Sequence, residues 1–103
     1  QIDNFGIESV MLDPGFGFGK NIDENYRLLK ELKQFKDFNR PVLAGLSRKS
    51  MIYKHLDINP QEALNGTSVL NTFALLNGAN VLRVPDVKEA QETIRLFMMY
   101  MQF

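Results

Sequence analysis

Apolar residues fall into short runs closed by turn formers, and these runs alternate with longer stretches of helical spacing. Val10, Met11 and Leu12 make the first run, closed by Asp13-Pro14-Gly15. A short apolar run bounded by turn residues predicts a buried strand, with a buried helix segment as the alternative. As a strand it puts Asp13 at its carboxyl end. Gly15, Gly17 and Gly19 then alternate with Phe16 and Phe18 in a loop. Exposing both phenylalanines would be costly, so packing on the fold or on a flat ligand is expected. Asn21 can cap a helix, with Glu24 as the return partner. Leu28, Leu29, Leu32 and Phe35 give that helix its apolar face, and Arg27, Lys30, Lys33 and Lys36 its wet one.

Asn39-Arg40-Pro41 breaks the helix. Val42 to Leu46 is the second strand run, ending in Ser47-Arg48-Lys49-Ser50. Met51, Ile52 and Leu56 predict a short helix. Asn59-Pro60-Gln61-Glu62 is a helix start, with Asn as cap, Pro at the first position and Glu at the third. That helix should run to about Asn77 and stop at Gly78, with a weak point near Gly66-Thr67. Val81, Leu82 and Val84 form the third strand, with Arg83 near its end. Asp86 should cap the last helix, Glu89 completing the box. Val87, Ala90, Ile94, Phe97, Met98 and Met101 follow helical spacing. Strands alternating with helices of this length predict an α/β fold of parallel βα units.

Composition narrows the function classes. The 103 residues carry 12 basic and 12 acidic side chains, which leaves no basic footprint for nucleic acid. There is no Cys, hence no disulfide, Cys-based zinc site or catalytic thiol, and one His rules out a histidine-rich metal site. No apolar run approaches the roughly 20 residues that span a bilayer. The length also excludes a complete (β/α)₈ barrel of roughly 250 residues. The opening QIDNFGIES lacks Met, and a piece of something longer is expected.

In parallel α/β folds the carboxyl ends of the strands carry the site. The three ends here hold Asp13, Ser47-Arg48-Lys49-Ser50 and Arg83. Asp13 is either a turn former before Pro14 or a carboxylate accepting two parallel hydrogen bonds from a donor face such as an aminopyrimidine. The GFGFGK loop is not a Walker A motif, because Pro14 and Asn21 replace its Gly and Ser/Thr. Arg48 and Lys49 are solvated charges or, with Ser47 and Ser50, the rim of an anion site. Arg83 within VLRV suits a planar ring or a phosphate oxygen. His55, on the short helix and not at a strand end, is read as a surface or structural residue.

LDPGFGFGK at Leu12–Lys20, LAGLSRKSMI at Leu43–Ile52 and LRVPDVKEA at Leu82–Ala90 resemble the dihydropteroate synthase family, in order and spacing, over essentially the whole chain. The resemblance implies a carboxy-terminal segment, residues 1–103, of a pterin-binding (β/α)₈ TIM barrel, comprising its last three strands and helices. It implies condensation of 6-hydroxymethyl-7,8-dihydropterin diphosphate with para-aminobenzoate, releasing pyrophosphate, in folate biosynthesis, and a sulfonamide target. Carried over by position, Asp13 would bind the pterin's amino-pyrimidine edge. Lys49 would contact its carbonyl side and position the amine, and Gly45 would leave room for the ring. Phe18 and Ser50 would line the para-aminobenzoate pocket. Arg83 would stack on the pterin and face the diphosphate, so that Lys49 and Arg83 are the catalytic candidates. A magnesium ligand would lie in an amino-terminal part outside this chain, and a cytoplasmic homodimer is implied for the full-length protein. Pro85 departs from the family's R-V-H-D motif and removes an imidazole from the diphosphate site. The chain alone is expected to be inactive. A pterin-binding methyltransferase fragment and a non-catalytic barrel remnant that self-associates are the alternatives.

Overall fold

The computed structural model describes residues 15, 16, 20–38 and 41–103. Helix α1, Ile22–Lys30, opens with the expected reciprocal cap: Glu24 N–H donates to Asn21 Oδ1 at 2.7 Å, and Asn21 N–H to Glu24 Oε1 at 2.9 Å. These bonds satisfy amide donors that a helix start leaves unpaired. A 3₁₀ segment, Leu32–Phe38, follows α1. Leu29 and Leu32 are buried and Leu28 and Phe35 are packed against them, so the expected face is the one that turns inward.

Two strands are described, β1 (Leu43–Ala44) and β2 (Val81–Leu82). They pair in parallel, Leu43 opposite Val81 and Ala44 opposite Leu82. Backbone bonds lengthen the contact at both ends, from Val81 N–H to Val42 O at 3.2 Å and from Arg83 N–H to Ala44 O at 3.0 Å. The Asn80 side chain adds a bond from Val42 N–H at 2.9 Å. The expected Val10–Leu12 strand and Asp13 at its end lie outside the described residues. Val84 is not in the ladder, and Pro85 after it has no N–H to offer one.

Two helices connect the strands: α2, Ser50–Leu56, and α3, Leu64–Leu76. The Asn59-Pro60 start yields only a 3₁₀ turn, Pro60–Glu62, and the helix breaks at Ala63 rather than at Gly66-Thr67. The cause is tertiary. The Arg48 guanidinium takes the carbonyls of Pro60 and Gln61, the acceptors an uninterrupted helix would offer to Leu64 and Asn65. Gly66 lies inside an intact α3, where a Cβ would come within 2.5 Å of Ile52 Cγ2. Its lack of a side chain lets α2 pack closely on α3. Asn77 caps α3, and Gly78 follows with φ of 103°, the left-handed geometry that ends helices.

The core gathers Phe16, Leu29, Leu32, Val42, Ala44, Leu46, Met51, Ile52, Ala63, Leu70, Ala74 and Ala79. The last helix, α4 (Val87–Met101), packs against α3. Two expectations fail there. Asp86 occupies the cap position, but its side chain does not cap the helix; it pairs with Arg48 at 3.2 Å, so the box with Glu89 does not form. A guanidinium competes successfully for a carboxylate against a neutral backbone amide. Only Ala90 of the expected apolar face is buried, while Val87, Met98 and Met101 are exposed. Helical spacing marks a face that can be covered; a neighbouring element must supply the cover.

Candidate functional site

Because the ladder is parallel, the carboxyl ends of β1 and β2 point the same way. Gly45, Ser47, Arg48, Lys49, Arg83, Val84 and Pro85 line one open cavity of about 370 Å³ there. Four residues singled out from the sequence, Gly45, Lys49, Arg83 and Pro85, thus share one surface. Three of the lining side chains are cationic.

Gly45 and Arg83 are matched in shape. A Cβ on Gly45 would stand 2.5 Å from Arg83 Nη2 and 3.0 Å from its Cζ and Nε. The space expected for a ring is filled here by the Arg83 guanidinium. Lys49 sits at the amino end of α2 with extended backbone, and its Nζ donates to the Phe16 carbonyl. Phe16 is buried, in agreement with the packing expected of it. Lys20 Nζ likewise donates to the Gly15 carbonyl, at 3.2 Å. Lys49 thereby ties Phe16 to the start of α2, while the Lys20 bond to Gly15 is local.

Ser50 faces elsewhere. It lines a second cavity of about 450 Å³ with Lys20, Asn21, Ile22, Asp23 and Lys54. Asp13 and Phe18 lie outside the described residues, so the structure leaves both without a position.

The residue whose role sequence reasoning missed is Arg48. Its Nη1 donates to Pro60 O at 3.1 Å and Gln61 O at 2.9 Å, and its Nη2 to Asp86 Oδ1 at 3.2 Å. Its backbone N–H donates to Thr67 Oγ1 at 3.0 Å, and the Thr67 hydroxyl donates in turn to Ala63 O at 2.7 Å. This network requires φ of 51° at Arg48, a left-handed conformation that strains a side-chain-bearing residue. The available signal was an Arg directly after a buried strand. Its partners, 12 to 38 residues away, carried none.

Tyr26 braces α2 from below the site. Its hydroxyl donates to Met51 O at 2.7 Å, and burial pushes the phenol pKa above its ordinary 10.0. His55 is exposed, its ring tilted 59° to Tyr26 at 6.2 Å, which agrees with the surface reading. Among the described residues no three His, Cys, Asp or Glu side chains gather as metal ligands. These residues do not fit a magnesium site, and no step below is routed through a metal. Among the described residues no helix is long and apolar enough to cross a membrane. A groove of about 570 Å³ runs between α3 and α4, lined by residues including Val69, Leu76, Leu96, Phe97 and Tyr100, and contains none of the candidate residues.

Residues 1–85 match the family model described as pterin binding enzyme. Dihydropteroate synthase of Escherichia coli (strain K12) is 49% identical over 89 residues, which are 86% of this chain and 32% of that protein. The Haemophilus influenzae dihydropteroate synthase is 41% identical over 90 residues, 87% of this chain and 33% of that protein. The chain therefore spans about a third of the length of these curated relatives. Among solved structures, Yersinia pestis dihydropteroate synthase superposes with a TM-score of 0.88 at 41% identity, covering 90% of this chain and 38% of that one. The Xanthomonas albilineans dihydropteroate synthase in complex with 7,8-dihydropteroate gives 0.86 at 34% identity, covering 90% and 36%. With its family model matched over most of its length and its second and third strand-end motifs gathered on one surface, the chain belongs to the pterin-binding enzymes.

Proposed function

We propose that the full-length protein carrying this sequence is a dihydropteroate synthase, and that residues 1–103 are a carboxy-terminal part of its TIM barrel, with the last three strands. The carrying observation is the meeting of Gly45, Lys49 and Arg83 around one cationic cavity at the ends of parallel strands. Relatives named dihydropteroate synthase support the same reading. The substrates are 6-hydroxymethyl-7,8-dihydropterin diphosphate and para-aminobenzoate.

In this reaction the C–O bond to the diphosphate breaks and pyrophosphate leaves with the electron pair. The arylamine lone pair then forms the C–N bond, and the nitrogen loses a proton. No side chain becomes a nucleophile; the protein supplies position and charge. Lys49, anchored to the Phe16 carbonyl, presents its ammonium to the pterin's carbonyl side and helps position the amine. Arg83 stacks on the pterin and faces the leaving diphosphate. Movement of its guanidinium off Gly45 clears the space a ring needs, since Gly45 has no side chain to fill it. Asp13 takes the amino-pyrimidine edge, while Phe18 and Ser50 serve the para-aminobenzoate. Ligands elsewhere in the full-length protein would hold magnesium, which would supply charge neutralisation at the diphosphate. The full-length protein is a cytoplasmic homodimer, and this chain alone has no synthase turnover.

Calorimetry with the pterin diphosphate on the complete barrel tests this reading. Asp13→Asn replaces an acceptor with a donor facing a donor and is expected to weaken binding about 10–150-fold, the equivalent of a charged hydrogen bond. Lys49→Ala should lower turnover. Unchanged affinity in Asp13→Asn would sink the pterin assignment.

A further inference from the structure

Two guanidinium groups, Arg48 and Arg83, line the strand-end cavity. Arg48 spends two Nη1 donors on the carbonyls of Pro60 and Gln61 and one Nη2 donor on Asp86. Its side chain is 30% exposed and that of Asp86 23%. The other carboxylate oxygen, Asp86 Oδ2, is buried without a hydrogen-bond partner among the described residues, and the pairing with Arg48 offsets the cost of burying this charge. The Arg83 guanidinium stands over Gly45, where a Cβ would come within 2.5 Å of its Nη2.

Arg83 and Asp86 bound the four-residue connection Arg83-Val84-Pro85-Asp86 from β2 to α4. One end is pinned by Arg83 N–H to Ala44 O at 3.0 Å. The other is pinned by Asp86 to Arg48. Arg48 is itself fixed by the Thr67 hydroxyl through its backbone N–H.

The geometry points to Arg48 as a positioning residue: through Asp86 it holds the β2–α4 connection over the strand ends and so sets where the Arg83 guanidinium stands. It is not an anion ligand. This rests on the reading of Arg83 as the diphosphate-facing group. Arg48 holds this left-handed geometry, φ of 51°, while its backbone N–H reaches Thr67 in α3 and its guanidinium reaches Asp86 at the start of α4.

Asp86→Asn separates the two roles by sign. If Arg48 bound the anion directly, removing its carboxylate partner would free a cation and tighten binding of inorganic pyrophosphate. If Arg48 positions, the same change slackens the connection and weakens pyrophosphate binding, by about tenfold on the scale of a charged hydrogen bond. In the complete barrel, Asp86→Asn, Arg48→Met and the double variant should each lose about the same factor, since each breaks the same link. Arg48→Lys should not rescue, because an ammonium cannot span two carbonyls and a carboxylate as the planar fork does. In steady-state turnover the loss should appear in kcat as well as KM, because the displaced Arg83 faces the leaving group.

A ligand-independent readout accompanies it. Amide exchange at Arg83 and at Ala90, whose N–H donates to Asp86 O at 3.1 Å, should quicken in Asp86→Asn, while Asn25 in α1 is unchanged. Tighter pyrophosphate binding in Asp86→Asn, or unaltered exchange at Arg83 and Ala90, overturns the assignment. If the parent protein itself fails to bind pyrophosphate, the synthase reading falls, and the exchange rates alone decide whether Arg48 holds the connection.

Discussion

The cavity at the ends of β1 and β2 and the outer surface of α4 belong to neighbouring stretches of chain, yet they are built on different principles. At the strand ends, polar bonds join residues far apart: Arg48 to Asp86 across 38 positions, Lys49 to Phe16 across 33, Val42 to Asn80 across 38. Along α4, the side-chain bond from Thr93 Oγ1 to Glu89 O at 2.9 Å is local. Leu96 is 72% exposed, and Met98, Met99, Tyr100 and Met101 are exposed with it. A catalytic surface needs groups fixed in space, and long-range bonds fix them. The α4 face shows exposed apolar area at helical spacing and no such long-range side-chain bond among the described residues. The contrast makes the strand ends sensitive to single atoms and the α4 face sensitive to what covers it.

The sharpest way to test the strand-end half of that comparison is Pro85. Proline keeps Val84 extended, so Pro85→His should leave the fold intact. In a complete barrel it should add an imidazole donor to the diphosphate site, worth about 1–3 kcal/mol, and raise kcat/KM about 5–150-fold at neutral pH. The gain should fade as pH rises above the imidazole pKa, where the neutral ring binds anions less well. Kinetics at two pH values check it, and equal rates would mean that the proline is functionally silent.

Two glycines with the same 2.5 Å clearance sharpen the comparison further. Gly66→Ala pushes a methyl into Ile52, a buried side chain in a packed core, and overpacking of this kind costs about 1–3 kcal/mol. The helix preference for Ala returns about 1 kcal/mol, so a net loss of up to about 2 kcal/mol should register in the Tm. Gly45→Ala meets the far end of a flexible arginine. It should leave the Tm nearly unchanged and weaken pterin diphosphate binding about tenfold, as a misplaced charge contact would. The reverse pattern in melting and calorimetry would mean that the site and the core are not separable here.

Tyr26 lies between the two regimes. Its phenol pKa is raised by burial, so as pH climbs past 10.0 the unfolded chain loses its proton first. Stability is full below that value and falls as pH rises through the folded pKa. Tyr26→Phe should lose about 1 kcal/mol at neutral pH, from the missing bond to Met51 O, and should lack this phenol's alkaline decline. Denaturant unfolding at pH 7 and above pH 10 checks both signs.

The smallest expected effect on stability belongs to α4. Leu96→Glu, on an exposed position, should change unfolding free energy by no more than about 0.5 kcal/mol. It should nevertheless reduce the self-association expected of this chain, read by sedimentation at micromolar concentration. A parent chain that is already monomeric would remove the role assigned to this face.

Much of the fold was legible because its signals are local. The Asn21–Glu24 cap works across three residues, the inward face of α1 across a few turns, and the Gly78 stop at one backbone angle. Strand runs closed by polar residues put Lys49 and Arg83 at strand ends, the resemblance supplied Gly45, and the parallel pairing of β1 with β2 brings the three together. Ser50, adjacent to Lys49 in sequence, opens onto another cavity because the first turn of α2 rotates successive side chains apart.

By itself, then, the sequence determined the order of the described strands and α-helices, the capped start of α1 and the polar residues at the described strand ends, all consequences of backbone bonds and periodicities spanning a few residues. Tertiary structure alone decided that Asp86 pairs with Arg48 instead of capping α4, that Arg48 diverts two carbonyls and breaks the helix at Ala63, and that Gly66 admits Ile52. It also decided that α4's spaced apolar residues stay largely uncovered. In each case the competing partner comes from a distant stretch of chain, and a local pattern carries no information about which distant group will arrive with the better charge or shape.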